Sequence, residues 1–303
     1  MKKKGQSWED LNKCDKAQNS NISLAYMGMT FAIMLIVAGM TEIIGKDNNS
    51  SYVWGPILLI LSLIAFCVSC IVVSSSARKK KNLLYKELVA DEAARKMFEE
   101  YEFYPDIGFS EASVIEKGIL DSHVNFVSED LLRGKCRGVA FTRAEVRCGF
   151  FKGEFIVFKT DEDYSDKIRI VSRDLTNATE RGTEKDDEHL TKVETGDASF
   201  DEIFRCFGED AVSVRVMLSK ETKEMLLKIR KKLGYPFSIL FDGNEVTVAI
   251  ETGENQTEMP KHLMDEKTET KEARKDFVPI QMFAEFVIRD RAIMPEMPVR
   301  TMR

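Results

Sequence analysis

Two long apolar runs near the N-terminus constrain this chain more than anything else in it. Residues 22–44, ISLAYMGMTFAIMLIVAGMTEII, hold 17 apolar side chains in 23 positions and one charge, Glu42. Residues 53–73, VWGPILLILSLIAFCVSCIVV, hold 17 in 21 and no charge. At about 1.5 Å per residue, a helix over the first run is roughly 34 Å long, enough for a hydrocarbon core. The eight residues between them, GKDNNSSY, carry turn formers and leave room only for a tight connection. The pattern predicts a two-helix transmembrane hairpin. A cleaved signal peptide fits less well, because the first run starts some twenty residues in and a second follows at once.

Charge sets the expected orientation. Lys2, Lys3, Lys4, Lys13 and Lys16 precede the first run, only Lys46 lies in the turn, and Arg78, Lys79, Lys80, Lys81 and Lys86 follow the second. Both termini are therefore expected in the cytoplasm, with the chain multi-pass in the cell (inner) membrane and the lipid bilayer as a partner. Glu42 reads as an acid reaching the headgroup layer, and Cys67 and Cys70 as packing residues in the second span. Arg78, Lys79, Lys80 and Lys81 fit either contact with anionic lipid or an ordinary positive-inside stop.

The remaining chain reads as an α+β protein: a cytosolic antiparallel sheet domain with packed helices behind the hairpin. The divisions are a basic leader (1–21), the hairpin (22–74), a basic collar and juxtamembrane helix (75–105), the sheet domain (106–255), and a charged linker with an amphipathic C-terminal helix (256–303). Segments 136–148, 154–159 and 167–172 are rich in Val, Ile and Phe and separated by turn formers, as successive strands are. Ser219 with Glu221 opens a helix that Gly234 closes, and FSILF, Asp242-Gly243-Asn244, EVTVAIE is a hairpin pattern. Phe277, Ile280, Phe283, Ala284, Val287 and Ile288 recur at helical spacing, a face that needs a cover. The cover is the domain itself, the helix after the second run, or a partner protein facing Phe277, Ile280, Phe283 and Val287.

As a set, FKGEFIVFK at 151–159, the stretch FDEIFRCFGEDAVSVRVMLSKETKEMLLKIRKKL at 200–233, and the closing hairpin resemble domain-of-unknown-function family 3137. Phe151, Gly153 and Phe155 match one family element, and Phe200, Phe204, Glu209, Asp210, Leu218 and Ser219 another. Asp201 and the pair Ser219-Lys220 depart from the family's usual Glu and Thr-Pro. The resemblance covers about residues 100–255. It implies a bacterial inner-membrane protein of uncharacterised activity and supplies no chemistry.

Chemical motifs are scarce. His123, His189 and His262 lack metal-ligand spacing. The runs Asp161-Glu162-Asp163 and Asp186-Asp187-Glu188 lack the glycine and spacing of a calcium loop. No phosphate-binding loop or nucleophile elbow occurs, and Cys136, Cys148 and Cys206 have no neighbouring His in sequence. No catalytic, cofactor or metal residue is expected, so an enzyme is the lesser expectation. Residues 87–303 carry 33 Lys/Arg against 45 Asp/Glu, which argues against nucleic acid. Two functions stay open. One is a membrane-tethered interaction or scaffold module whose sheet edge or tail helix engages another membrane or cytosolic protein. The other is a membrane-bound enzyme or sensor of a small or lipid-derived ligand.

Overall fold

The computed structural model describes residues 7–17, 19–20, 79–120, 124–175, 190–254, 257–260 and 263–293, and only scattered positions between 23 and 67. The chain divides into two compact units, residues 1–88 with 259–261, and residues 89–258 with 262–303.

The expected hairpin is corrected by this structure: among the described residues no helix is long and apolar enough to cross a membrane. An apolar run supplies the composition of a span, but a span also needs about twenty consecutive residues in one helix to satisfy its backbone in hydrocarbon. Within 22–44 and 53–73 the described residues are single positions and pairs, and the rest of both runs lies outside the described residues. The multi-pass location in the cell (inner) membrane, with both termini cytoplasmic, falls by the same finding. The α+β part of the fold class remains.

In the first unit, helix α1 (8–17) is capped by Asp10, whose carboxylate accepts from the Ser7 N–H at 2.9 Å. Helix α2 (79–85) continues into a π-turn at Lys86–Ala90. Lys81 ties α2 to α1 through Asp15 at 2.7 Å.

The second unit is built on one antiparallel sheet. Its strands are β1 Tyr101–Tyr104, β2 Val127–Cys136, β3 Val139–Cys148, β4 Phe151–Ser172, β5 Thr191–Val193, β6 Phe204–Gly208 and β7 Phe237–Glu251. The order is β1-β2-β3-β4-β6-β5, with β7 also on β4. Both β4 and β7 double back. Fifteen residues of straight strand would hold the ends of β7 roughly 50 Å apart, yet the Glu251 N–H donates to the Pro236 carbonyl at 3.0 Å. The turn is Asp242-Gly243-Asn244, where Gly243 has φ 55°, as the hairpin pattern requires. The β7 hairpin nests between the two arms of β4: Gly153 to Lys159 pair with Glu251 to Glu245, and Ile168 to Val171 pair with Phe241 to Ser238.

Helices cover both faces of this sheet. They are α3 Asp91–Met97, α4 Glu111–Ile115, α5 Ala198–Ile203, α6 Ala211–Met217, α7 Lys220–Leu233, α8 Glu266–Ala273 and α9 Val278–Ile293. Ser219 caps α7 by accepting from the Thr222 N–H, and Gly234 ends it at φ 75°, a left-handed position that glycine adopts without steric cost. On one face α4 and the residues after it bring Val114, Ile119 and Leu120 onto Val146, Phe151, Phe155, Leu240 and Ala249. On the other, α9 packs Phe283 on Phe237 and Phe286 on Phe241, with ring centroids 5.3 and 6.2 Å apart. The charged stretch expected as linker contains α8, capped by Asp265 and burying Glu269, Thr270 and Ala273.

Candidate functional site

Two polar clusters stand out. The first is buried under the turn between α8 and α9. Strand alternation places Arg143 and Glu145 of β3 on the same face, and the register sets Glu145 directly opposite Glu154 of β4. Like charges so placed repel, and Arg143 answers them: its Nη2 donates to Glu154 Oε1 at 2.6 Å and lies 3.5 Å from Glu145 Oε1. Thr257 donates to Glu145 Oε1 through its N–H and hydroxyl, at 2.8 and 2.5 Å. The Arg143 guanidinium also sits 5.9 Å from the Phe277 ring centroid.

Burial dominates the ionisations in this cluster. It works against the charge on Arg143, but Glu154 and Glu145 outweigh it and hold the guanidinium firmly protonated. Burial pushes the Glu154 carboxyl above its ordinary range, with Arg143 opposing. Asp276, in the turn Lys275–Phe277, is pushed up to about 8 by burial, with Arg143 opposing and Glu154, Glu145 and Glu272 reinforcing. Asp130 is fully buried at a left-handed φ of 61°, where the β2–β3 register shifts between Glu129 and Leu132. Carboxylate oxygens of Glu129, Asp130 and Glu145 lie within 4.8 Å of one another, a donor set suited to a hard cation. Arg143 already brings positive charge to Glu145 and Asp130 of this set, so the cluster is an ion network in its own right.

The second cluster lies where the sheet ends at β5. A cavity of about 350 Å³ is lined by Arg173, Lys192, Val193, Glu194, Asp201 and Arg205, with Phe204 also at its wall. Register puts Val171 opposite Arg205 and Lys192 opposite Phe207, so Arg205 and Lys192 share one sheet face. The wall is built by a tight turn. Asp201 of α5 accepts from Thr195, from its N–H at 3.2 and 3.3 Å and from its hydroxyl at 2.9 Å. Arg173 Nε donates to the Asp201 carbonyl at 2.7 Å, and Arg215 Nε of α6 to the Glu194 carbonyl at 3.4 Å. Asp197 caps α5, its carboxyl held low by the Ser199 hydroxyl and the Phe200 N–H. Cys206, behind this wall, is pushed up to about 12 by burial and then by Asp201, so it is no thiolate nucleophile.

The residues singled out in the sequence lie elsewhere. Lys79 and Lys80 are exposed on α2, Lys81 is buried against Asp15, and Arg78 lies outside the described residues. Phe277, Ile280, Phe283 and Val287 are fully buried on the chain's own sheet, with Phe277 against Phe98 at 6.0 Å between centroids. His123, His189, His262, Cys70 and the run 186–188 lie outside the described residues. Neither polar cluster is legible as a motif, because Arg173, Lys192 and Arg205 meet only through strand register. The alternation in FRCFG, which buries Phe204, Cys206 and Gly208, is the one local signal that would have shown Arg205 facing away from the core.

Fold and site define an antiparallel α+β domain with a polar cleft at the end of its sheet. Residues 150–289 match the sequence model of a family described as "Protein of unknown function (DUF3137)", and this part of the chain is a DUF3137 domain. No curated protein matches the chain. Among solved structures, the mycobacterial trehalose monomycolate transport factor A, TtfA, aligns with 71% of this chain and 98% of its own at 10% identity and a TM-score of 0.40. That similarity is too low to carry fold or role across.

Proposed function

We propose that the DUF3137 domain is a non-catalytic binding module that works through the open edge of β5 and the cavity beside it. The observation supporting this is the position of the cavity. Among the described residues no further strand pairs with β5, so its outer edge offers backbone donors and acceptors, and the charged cavity lies alongside. Strand addition at such an edge takes affinity from main-chain bonds and selectivity from adjoining pockets. The tail helix is the weaker candidate contact, since Ile280, Phe283, Ala284, Phe286 and Val287 are spent on the core. A small polar ligand is a second reading, favoured by a cavity volume at the low end of ligand sites, roughly 300–1,000 Å³.

The test is site-specific photo-crosslinking in cells with the full chain. A photoreactive residue replaces exposed Lys192 on β5 or, as comparison, exposed Glu102 on β1 at the other end of the sheet. A discrete protein adduct from position 192 and none from 102 is expected. No adduct from 192, or equal adducts from both, sinks the edge-binding reading and leaves the small ligand.

A further inference from the structure

Resting on that reading, we infer that the partner at β5 is an extended segment alternating acidic and apolar side chains. The charges beside the strand are mostly positive. Arg173, Lys192 and Arg205 line the cavity and Arg215 borders it. Arg173 and Arg215 spend Nε on main-chain carbonyls, so neither guanidinium is paired with a carboxylate among the described residues. Against Arg173, Lys192 and Arg215 stand two acids at the cavity, Glu194 and Asp201. This local excess of cation stands on a unit whose balance is acidic, 33 Lys/Arg against 45 Asp/Glu over residues 87–303. It is therefore a confined feature and not the broad basic surface that nucleic acid requires.

The two faces beside β5 differ in chemistry. Lys192 and Arg205 stand on one. Helix α6 stands on the other, where Val214 approaches Gly208, and it leaves Val212 and Val216 63% and 45% exposed. A strand laid along β5 turns successive side chains to opposite faces. Acidic residues at alternate positions then meet Lys192 and Arg173, and apolar residues between them meet Val212 and Val216.

The probe is a fluorescein-labelled Glu-Val-Glu-Val-Glu-Val peptide, titrated with the full chain and read by anisotropy. Its comparisons are Lys-Val-Lys-Val-Lys-Val and the acidic peptide N-methylated at every residue, which leaves no N–H on either edge for strand pairing. The acidic peptide is expected to bind at least tenfold more tightly than either. Lys192→Glu and Val212→Asp, both at exposed positions, should each weaken it about tenfold while the thermal midpoint stays in place. Acidic and basic peptides within twofold of each other, indifference to Lys192→Glu, or equal competition by oligouridine would overturn the inference. A neutral or basic strand crosslinked at position 192 would overturn it too and keep the binding module, whereas absence of any adduct there removes both.

Discussion

Asp276 is the residue at which burial most directly becomes a measurable property. Its carboxyl sits in the turn that presses Phe277 onto the sheet, near Arg143, Glu154, Glu145 and Glu272, and titrates near 8 instead of 3.8. The folded protein therefore holds a proton there that the unfolded chain releases above about pH 4. More protons bound in the folded state means that stability is greatest below the unfolded pKa, falls as pH rises from about 4 to about 8, and is flat beyond. Asp276→Asn, which cannot ionise, should flatten that decline. In urea denaturation across this range the variant should match the parent near pH 4 and exceed it at pH 8. Parallel curves would show that the carboxyl is not held neutral. Glu154, displaced in the same direction, supplies whatever slope remains in the variant.

At the scale of elements, the nested hairpins of β4 and β7 explain the Phe-x-Gly-x-Phe pattern. Phe151 and Phe155 fill the core beneath α4. Between them a Cβ on Gly153 would stand 1.9 Å from the Ile250 carbonyl oxygen and 2.9 Å from the Thr252 nitrogen, both main-chain atoms that cannot swing aside. Gly153→Ala should therefore part β4 from the second arm of β7, costing about 3 kcal/mol or more. Chemical denaturation checks this, and a loss below 1 kcal/mol would mean that the arms separate at little cost. Local elements such as this hairpin were legible beforehand because their signals are local: Asp242-Gly243-Asn244 for the turn, Ser219 and Gly234 for the limits of α7. Helix α8 was not, since it hides in a charged stretch and its buried positions include Glu269 and Thr270. The buried network was not legible either. Arg143, Glu145 and Glu154 look like the wet side of a strand until α8, α9 and Thr257 close over them.

For the whole molecule, the apolar runs at 22–44 and 53–73 show how far composition carries. They meet the hydropathy of a span, but the structure yields no span-length apolar helix among the described residues. The tail makes the complementary point, since its apolar spacing was plain in sequence and only the tertiary structure shows what it covers. Ile280, Phe283, Phe286 and Val287 are all fully buried. At about 1.5–3 kcal/mol per buried side chain they contribute roughly 6–12 kcal/mol, comparable with the roughly 5–15 kcal/mol total stability of an ordinary domain. Deleting residues 278–303 should therefore do more than remove a docking surface: it should strip the cover from Phe237 and Phe241 and abolish cooperative folding of the sheet unit. The truncated chain should melt without a sigmoidal transition by circular dichroism and should bind a hydrophobic dye at room temperature. A sharp melt close to that of the full chain would show that the sheet stands without α9, and would return Phe283 and Val287 to the set of surfaces on which another protein can dock.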